Sequence, residues 1–256
     1  MTTTIPDHAM NRAAFRFYGD LNYFLPRKQR HKTITRDFDW RGSIKDMIES
    51  LNVPHPEIEL IVVNNSSVDF DYIVADGDDI QVYPLEHDSD VYPQLPLRPP
   101  LTDKPRFILD THLGRLAAYL RMAGFDTLYR NDYPDDELAE VAYEENRILL
   151  TRDNGLLKRS LVTYGYFVRE TNPHRRLIEI IQRYDLAQYA SPYARCTRCN
   201  GLLHPVDKAD ILEELSDRTA SHYDAFFQCE DCRQVYWKGS HYERMQSLIQ
   251  EAIAAG

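Results

Sequence analysis

The run "ILLTRD" at residues 148–153 begins as an apolar segment and ends on an arginine and an aspartate. A short apolar run of this kind predicts a strand buried inside a parallel sheet. In open parallel sheets, ligands bind beyond the carboxyl ends of the strands, which is where Asp153 falls. Whether Asp153 has a chemical role therefore depends on whether other acids reach the same edge.

The chain around this run alternates between strand and helix patterns. Strand-like segments are "RFILD" and "FDTLYR" before it and "YGYFVRE" after it; helical segments are "LGRLAAYLRMAG", "PDDELAEVAYEEN", "GLLKRSLV" and "PHRRLIEIIQRYDL". In the first helix, Gly124 is the expected stop, and the residues expected to face inward are Leu113, Leu116, Ala117 and Leu120. The alternation predicts an α/β sandwich with a mainly parallel sheet.

Four aspartates are expected at the carboxyl edge of this sheet. Asp110 closes the first strand, Asp153 closes the third, and Asp135 and Asp136 open the helix between them. Each has an alternative role as a helix cap, because aspartate is common at helix N-termini. Carboxylates that lie close together repel one another unless a cation neutralises them, and oxygen ligands suit Mg²⁺ or Mn²⁺. The placement predicts an acidic metal cluster able to support phosphodiester hydrolysis.

All four cysteines lie in two CxxC pairs, Cys196 with Cys199 and Cys229 with Cys232. Each pair offers two thiolates from one tight turn, and tetrahedral zinc takes four such ligands. Disulfides are disfavoured because the sequence shows no secretion signal, and a redox pair would need only one motif. The cysteines therefore predict a structural Zn²⁺ site in two knuckles joined by an insertion.

Residues 10–86 are expected to form a separate small domain. The segments "AAFRFYGDLNYFL" and "TITRDFDW" predict a hairpin, with Ile34, Phe38 and Trp40 on one face. A helix capped by Ser43 follows, and "IELIVVNN" and "DIQVYP" supply further strands; the buried stripe of the helix is Ile44, Met47, Ile48 and Leu51. This is the element order of a β-grasp, and it resembles ubiquitin-like sulfur carriers. The last strand runs into "PLEHDSDVYPQLPLRPPLTDKP" without a diglycine, which favours partner docking over carrier chemistry.

The composition of the 256-residue chain is that of a globular protein, and its net charge of −10 disfavours binding nucleic acid by bulk attraction. The charge is uneven: residues 57–97 hold ten acids and no Lys or Arg, whereas residues 147–198 hold ten bases against four acids. No stretch approaches the roughly 20 apolar residues of a membrane span, and the N-terminus lacks a secretory h-region. We expect a cytoplasmic protein that does not bind membranes.

Several motifs, in the order in which they occur along the chain, resemble those of a known protein family. "FILDTHLGRLAAYLRMAGFDT", "DDELAEVAYEENRILLTRD" and "ARCTRCNGLL" with "CEDCRQVYWKGSHYERM" look like the PIN-like ribonuclease family of the Mut-seven C-terminal RNase domain, over about residues 105–245. The resemblance implies a PIN-type fold, a zinc ribbon, ribonuclease activity and, in some members, a ubiquitin-like N-terminal domain. By motif it implies metal-binding roles for Asp110 and Asp153, with Asp135 favoured over Asp136 as the third acid. For the fourth position of the acidic cluster, the segment "RETNPHRR" contains only two candidates, Glu170 and Asn172.

Basic and aromatic residues near these motifs are candidates for holding RNA, which we expect to be single-stranded or structured. Phosphate contacts are predicted for Arg115, Arg121, Arg152 and Lys158, although solvated surface positions are the commoner fate of such side chains. Trp237 and His241 could stack on bases or hold phosphate, with packing of the ribbon as the alternative for Trp237.

These patterns predict a multidomain protein of the α+β and α/β classes. The expected segments are a ubiquitin-like β-grasp at 10–86, a proline-rich linker at 87–104, a PIN-like nuclease domain at 105–190, a zinc ribbon at 191–245 and a tail at 246–256. The predicted function is a metal-dependent ribonuclease whose ribbon aids RNA binding. The alternatives are a non-catalytic RNA-binding adaptor and a β-grasp module that docks a protein partner.

Overall fold

The computed structural model describes residues 10–85, 90, 94–101 and 104–254. The chain divides into two compact units. The first comprises the residues up to 100 together with 157–160, and the second comprises 101–156 together with the residues from 161 onward. Within the described residues, no helix is both long enough and apolar enough to cross a membrane.

In the part of the first unit that the structure describes, five strands form a mixed sheet, which is accompanied by one α-helix. Its elements are β1 (Asn11–Phe17), β2 (Ile34–Phe38), α1 (Ile44–Ser50), β3 (Leu60–Val63), β4 (Ser66–Val68) and β5 (Asp79–Tyr83). The sheet order is β2-β1-β5-β3-β4, with β1 and β5 parallel at the centre and antiparallel pairs outside them. The predicted β-grasp order is therefore confirmed.

Local chemistry explains the start of α1. The Asp46 N–H donates to the Ser43 hydroxyl at 3.1 Å, as the capping pattern predicted, and Ile44, Met47 and Ile48 are buried. The prediction for Trp40 is wrong. Because β2 ends at Phe38, the alternation of its faces does not reach Trp40, whose side chain is 49% exposed.

The second unit contains the predicted parallel sheet. Its elements are β6 (Phe107–Leu109), α2 (Gly114–Met122), β7 (Thr127–Tyr129), α3 (Asp135–Glu144), β8 (Ile148–Thr151), α4 (Asn154–Leu157), β9 (Gly165–Phe167) and α5 (Pro173–Arg183). The last residue of α4, Leu157, belongs to the first unit. The sheet order is β7-β6-β8-β9, and all three pairings are parallel. The α4 helix is a single turn, shorter than the pattern "GLLKRSLV" predicted.

The core of this sheet is completed by a helix that follows the cysteine pairs in the chain. Residues 246–256 are treated as a tail in the sequence analysis. The structure instead has α7 (Ser240–Ala254), which packs against α5 and buries Leu248, Ile249 and Ala252 in the same core as Phe107. An amphipathic helix of this kind is stable because its apolar face is covered.

The cysteine pairs flank a small antiparallel sheet. Its strands are β10 (Leu203–Val206), β11 (Phe226–Cys229) and β12 (Val235–Trp237), in the order β10-β11-β12. The insertion between β10 and β11 includes α6 (Asp217–His222), and Ile211, Phe226 and Val235 form a small core of their own. The predicted ribbon region is thus a sheet with a minimal core, which is typical of domains stabilised by a metal.

Gly124, at the end of α2, should be intolerant of any side chain. Its φ is +91°, and an added Cβ would lie 2.1 Å from the Ser191 carbonyl oxygen. We expect Gly124→Ala to destabilise the protein by roughly 3 kcal/mol or more, because backbone strain and a backbone clash combine. Urea denaturation would measure the loss. The matched control is Gly77→Ala, where φ is +84° and nothing lies within 4 Å; equal losses in the two variants would contradict the clash.

Candidate acidic site and cysteine cluster

The carboxyl ends of β6 and β8 bring two of the predicted acids to one edge. These strands are parallel neighbours in which Leu109 pairs with Leu150, and the Asp110 N–H donates to the Leu150 carbonyl at 3.1 Å. Asp110 therefore follows β6 where Thr151 ends β8, and Asp153 lies two residues further on. The carboxyl ends of β6 and β8 therefore lie at the same edge of the sheet, as the strand pattern predicted.

Thr151 links the two aspartates, a role that the sequence analysis missed. Its hydroxyl donates to Asp110 Oδ2 at 2.8 Å and accepts from the Asp153 N–H at 2.9 Å. Asp110 Oδ1 also accepts from the Thr111 backbone N–H and hydroxyl. Asp110 is buried, so these hydrogen bonds fix the position of its carboxylate. The available signal was a hydroxyl residue as the last member of an otherwise apolar strand.

Asp153 is also a helix cap, as its alternative interpretation required. Its Oδ1 accepts from the N–H groups of Gly155 at 2.6 Å and Leu156 at 3.3 Å, at the start of α4. The cap orients the carboxylate without consuming all of its acceptor capacity, because an ionised carboxylate offers about four lone-pair sites. Capping and ligand binding are therefore compatible at this residue.

Three of the four predicted aspartates line a common cavity of about 450 Å³. Its lining residues are Asp110, Thr111, His112, Asp135, Arg152, Asp153, Asn154 and Phe167. Asp136, Glu170 and Asn172 are absent from this lining. The Asn172 side chain caps α5 by accepting from the N–H groups of residues 174 and 175. His112 was missed by the sequence analysis, although it stands two residues after the strand-end aspartate.

The pocket aspartates are near one another but are not drawn into a tight cluster. Among the described residues, the four cysteines are the only group of three or more His, Cys, Asp or Glu side chains whose ligand atoms all lie within 4.8 Å of one another. Carboxylates that do not touch keep their mutual repulsion low. Hard cations that retain water ligands do not require all-protein cages, so the donor set suits Mg²⁺ or Mn²⁺.

Arg152 adds a fixed positive charge to this pocket. One of its guanidinium nitrogens, Nη1, donates to the carbonyl oxygens of Val168, Arg169 and Glu170 at 2.7–3.1 Å. The loop that supplies these carbonyls is held in turn by Glu179 on α5, which accepts from the N–H groups of Arg169 and Glu170. The guanidinium is therefore oriented before any ligand arrives, which lowers the entropic cost of binding an anion.

Two other residues that were predicted to contact phosphate, Arg115 and Lys158, do not line the acidic pocket. Arg115 is exposed in the first turn of α2 and does not line the acidic pocket. Lys158 belongs to the segment 157–160, which is part of the first unit. The side chain of His241 lies outside the described residues. Trp237 ends β12, away from the acidic pocket, with a side chain that is 37% exposed.

Arg121 has a structural position rather than the predicted surface one. It is buried, and its Nε donates to the Thr127 carbonyl at 2.8 Å. Its Nη1 donates to the carbonyls of Thr197 and Arg198, both at 3.1 Å, in the turn of the first CxxC pair. The ribbon covers this face of α2, so the guanidinium donates hydrogen bonds to the ribbon backbone rather than to solvent or phosphate.

The four cysteines are arranged for one metal ion. Their sulfur atoms lie within 4.8 Å of one another, with Cys196 and Cys232 at 3.6 Å and Cys199 and Cys229 at 3.4 Å. Tetrahedral zinc, with Zn–S bonds of about 2.3 Å, would separate its thiolates by about 3.8 Å. Burial raises the pKa of Cys196, but hydrogen bonds from Tyr236 and from backbone N–H groups outweigh it and bring this pKa to about 7. The donor set fits zinc.

The ribbon is anchored at the amino ends of the parallel strands. Asn200 accepts from the Thr127 N–H at 3.0 Å and donates to Asp126 at 2.9 Å. Asp126 also accepts from Arg147, the residue before β8, at 2.7 Å. Because the acids lie at the carboxyl ends, the cysteine cluster and the acidic pocket occupy opposite edges of one sheet.

Fold and site together define a class of protein: an α/β domain with a parallel sheet, acids at its carboxyl edge and a four-cysteine ribbon at its amino edge. The chain belongs to the Mut7-C RNase domain family, whose model matches residues 105–249. A second model, the Mut7-C ubiquitin domain, matches residues 10–90, so the resemblance inferred from the motifs is confirmed. No curated protein and no solved structure matches the chain.

The anchoring network should make the stability of this unit pH-dependent. Burial alone would raise the pKa of Asp126, but hydrogen bonds from Arg147 and Asn200 outweigh it and hold this pKa below its usual value. The unfolded chain therefore takes up the proton first as the pH falls below about 4, and the stabilisation is lost through that range. We expect Asp126→Asn to be less stable at pH 6 and to show a shallower acid-side slope in urea midpoints. Parallel pH profiles for the two proteins would refute this coupling.

Proposed function

We propose that the protein is a metal-dependent ribonuclease that hydrolyses RNA phosphodiester bonds. The proposal is carried by one observation: Asp110, Asp135 and Asp153 line one cavity at the carboxyl edge of a parallel sheet. Membership of the Mut7-C RNase domain family supports it. The uneven charge also supports it, because residues 147–198 carry ten bases against four acids in an otherwise acidic chain.

In this proposal, Asp110, Asp135 and Asp153 hold Mg²⁺ or Mn²⁺. Such an ion, when bound, lowers the pKa of a water molecule and stabilises the charge on the leaving oxygen. Thr151 keeps the Asp110 carboxylate in place, since its hydroxyl donates to Oδ2. Arg152 places a guanidinium beside the scissile phosphate, where bidentate contacts to phosphate oxygens are strong. Asp136 is assigned no ligand role, and Arg115 is retained as a peripheral phosphate contact.

The other parts of the chain have supporting roles in the proposal. The cysteine cluster holds a structural Zn²⁺, because four thiolates close its coordination shell. The ubiquitin-like unit docks a protein partner rather than carrying sulfur. We place the activity in the cytoplasm, because the reducing conditions there keep the thiolates that would bind Zn²⁺ from forming disulfides.

A second candidate function is a non-catalytic RNA-binding adaptor. It is favoured by the spacing of the acids, because the pocket aspartates are not among the groups of described residues whose ligand atoms lie within 4.8 Å. In an adaptor, Asp153 would serve only as the cap of α4. A cleavage assay separates the two functions.

Asparagine substitution at Asp110 or Asp153 should reduce Mn²⁺-dependent RNA cleavage to the metal-free rate, because amides are weaker ligands than carboxylates. We expect Asp135→Asn to be more harmful than Asp136→Asn, since only Asp135 lines the cavity. Cleavage of a labelled single-stranded RNA is the measurement. The control is Asp132→Asn, whose wild-type side chain is 82% exposed outside the cavity. Full activity in both the Asp110 and Asp153 variants would leave the adaptor as the better function.

Zinc analysis should find one ion per chain in protein with four intact thiols. We expect Cys199→Ser to lose this ion and to unfold the ribbon, because its small core does not suffice alone. Thiol titration before and after chelation would show four protected cysteines becoming reactive. Undamaged protein that contains no zinc would exclude this role for the cluster.

A further inference from the structure

A second cavity, of about 290 Å³, lies within the second unit, where the ribbon meets the beginning of α7. The aromatic residues among its described lining are Tyr193, Tyr223, Tyr236, Trp237 and Tyr242. Its volume is close to the lower end of the ~300–1,000 Å³ range of small-ligand sites, which suits a single planar group rather than a folded chain. Neither the acidic site nor the cysteine cluster accounts for this cavity.

The aromatic walls present a stacking surface. Tyr193 and Tyr242 lie with ring centroids 4.1 Å apart, and Tyr223 and Trp237 with centroids 6.3 Å apart. A Cβ at Gly239 would lie 2.9 Å from the Trp237 indole nitrogen, so the missing side chain lets the indole rest against the backbone. The indole is supported by the backbone and still 37% exposed, which leaves ring surface for a ligand.

The charges around the cavity select the class of ligand. Among the described residues, its lining contains Arg195, which also pairs with Asp126 at 3.5 Å, and no Asp or Glu. The Lys238 ammonium lies 5.7 Å from the centroid of the Tyr242 ring. These cations would repel a methylated ammonium group, which is the usual ligand of an aromatic cage. A neutral planar ring attached to phosphate is favoured by them, because the ring stacks while the phosphate meets positive charge. Gln234, Thr197 and Ser240 supply polar groups for base edges.

The aromatic cavity lies apart from the acidic pocket. The ribbon is anchored through Thr127, Asp126 and Arg147 at the amino ends of the strands, whereas Asp110 and Asp153 lie at the carboxyl ends. A group bound in the aromatic cavity is therefore separate from the reacting phosphate. A continuous single strand could reach both sites only if several nucleotides lay between them.

We propose that this cavity is a subsite for one unpaired nucleobase of an RNA strand, stacked on Trp237. The proposal rests on the proposed function only in taking RNA as the substrate. The base is held at a distance from the scissile bond, so the subsite determines which single strands are retained and not how the bond is broken. Every base has a stacking face, so the site is expected to be tolerant of sequence.

The chain has two tryptophans, which provides a direct probe. In a full-length Trp40→Phe, Asp153→Asn protein, Trp237 is the only indole, and any RNA cleavage by the proposed acidic site is suppressed. We expect a single-stranded oligoadenylate to quench Trp237 fluorescence. An abasic oligomer of the same length, which keeps the phosphates, should give no quenching and bind roughly 5- to 100-fold more weakly.

Substitution tests the same contact from the protein side. Trp237→Leu should weaken binding of labelled oligoadenylate by a similar factor in an anisotropy titration. Gly239→Ala should weaken it as well, because the added methyl displaces the indole without removing it. The matched control is Tyr143→Leu, an aromatic residue 55% exposed on α3 and outside the cavity lining, which should bind normally. Zinc content and circular dichroism would confirm that each variant keeps the ribbon.

Three results would overturn the subsite. They are equal binding of the abasic and base-bearing oligomers, undiminished binding by a folded Trp237→Leu protein, and binding of adenosine monophosphate as tight as that of the oligomer, which would assign the cavity to a free nucleotide. Failure of the proposed function is distinguishable. A wild-type protein that never cleaves RNA but whose Trp237 is quenched by oligoadenylate would retain the subsite and lose the nuclease.

Discussion

The parallel pairing of β6 with β8 is the constraint on which the acidic site depends. These strands have only three and four residues, so a slip of one position would carry Asp110 away from Thr151 and move each buried side chain to the opposite face of the sheet. Leu109 and Leu150 fix the register because both are fully buried. The short hydrogen-bonded path from Asp110 through Thr151 to the Asp153 backbone then follows from backbone geometry.

The sheet separates two kinds of chemistry between its edges. At the amino edge, Asp126, Arg147 and Asn200 join the parallel strands to the cysteine cluster through partly buried charges. Replacing all of these groups together by apolar residues would cost little stability, because desolvation offsets attraction, but removing one partner would leave a buried charge unpaired. At the carboxyl edge, Asp135 and Asp153 are exposed, the buried Asp110 lines the same cavity, and Arg152 provides a fixed cation beside them. In the proposed function, the ribbon with its aromatic cavity would hold one part of an RNA strand while another part meets the acids.

How much could be predicted from the sequence varies with how local each feature is. Strand ends and caps are local, so Asp110, Asp153 and the Ser43 cap could be located from short patterns. The burial of Arg121 could not, because the ribbon that covers it comes about 75 residues later in the chain. The same reason explains α7, whose apolar face has a partner only in the folded core, and the aromatic cavity, whose walls come from separate segments. The short alternation that placed Trp40 in a strand failed because periodicity does not show where pairing ends.

The position of α7 in the chain has a consequence for how the protein is made. A ribosome releases the four parallel strands first, then the cysteine ribbon, and only afterwards the helix whose Leu248, Ile249 and Ala252 seal the core around Phe107. Closing contacts between such distant residues is entropically slow. Until α7 emerges, the apolar core residues that it covers remain exposed, and exposed apolar surface of this kind favours aggregation. The core around Phe107 can therefore close only after residues 240–254 have been synthesised.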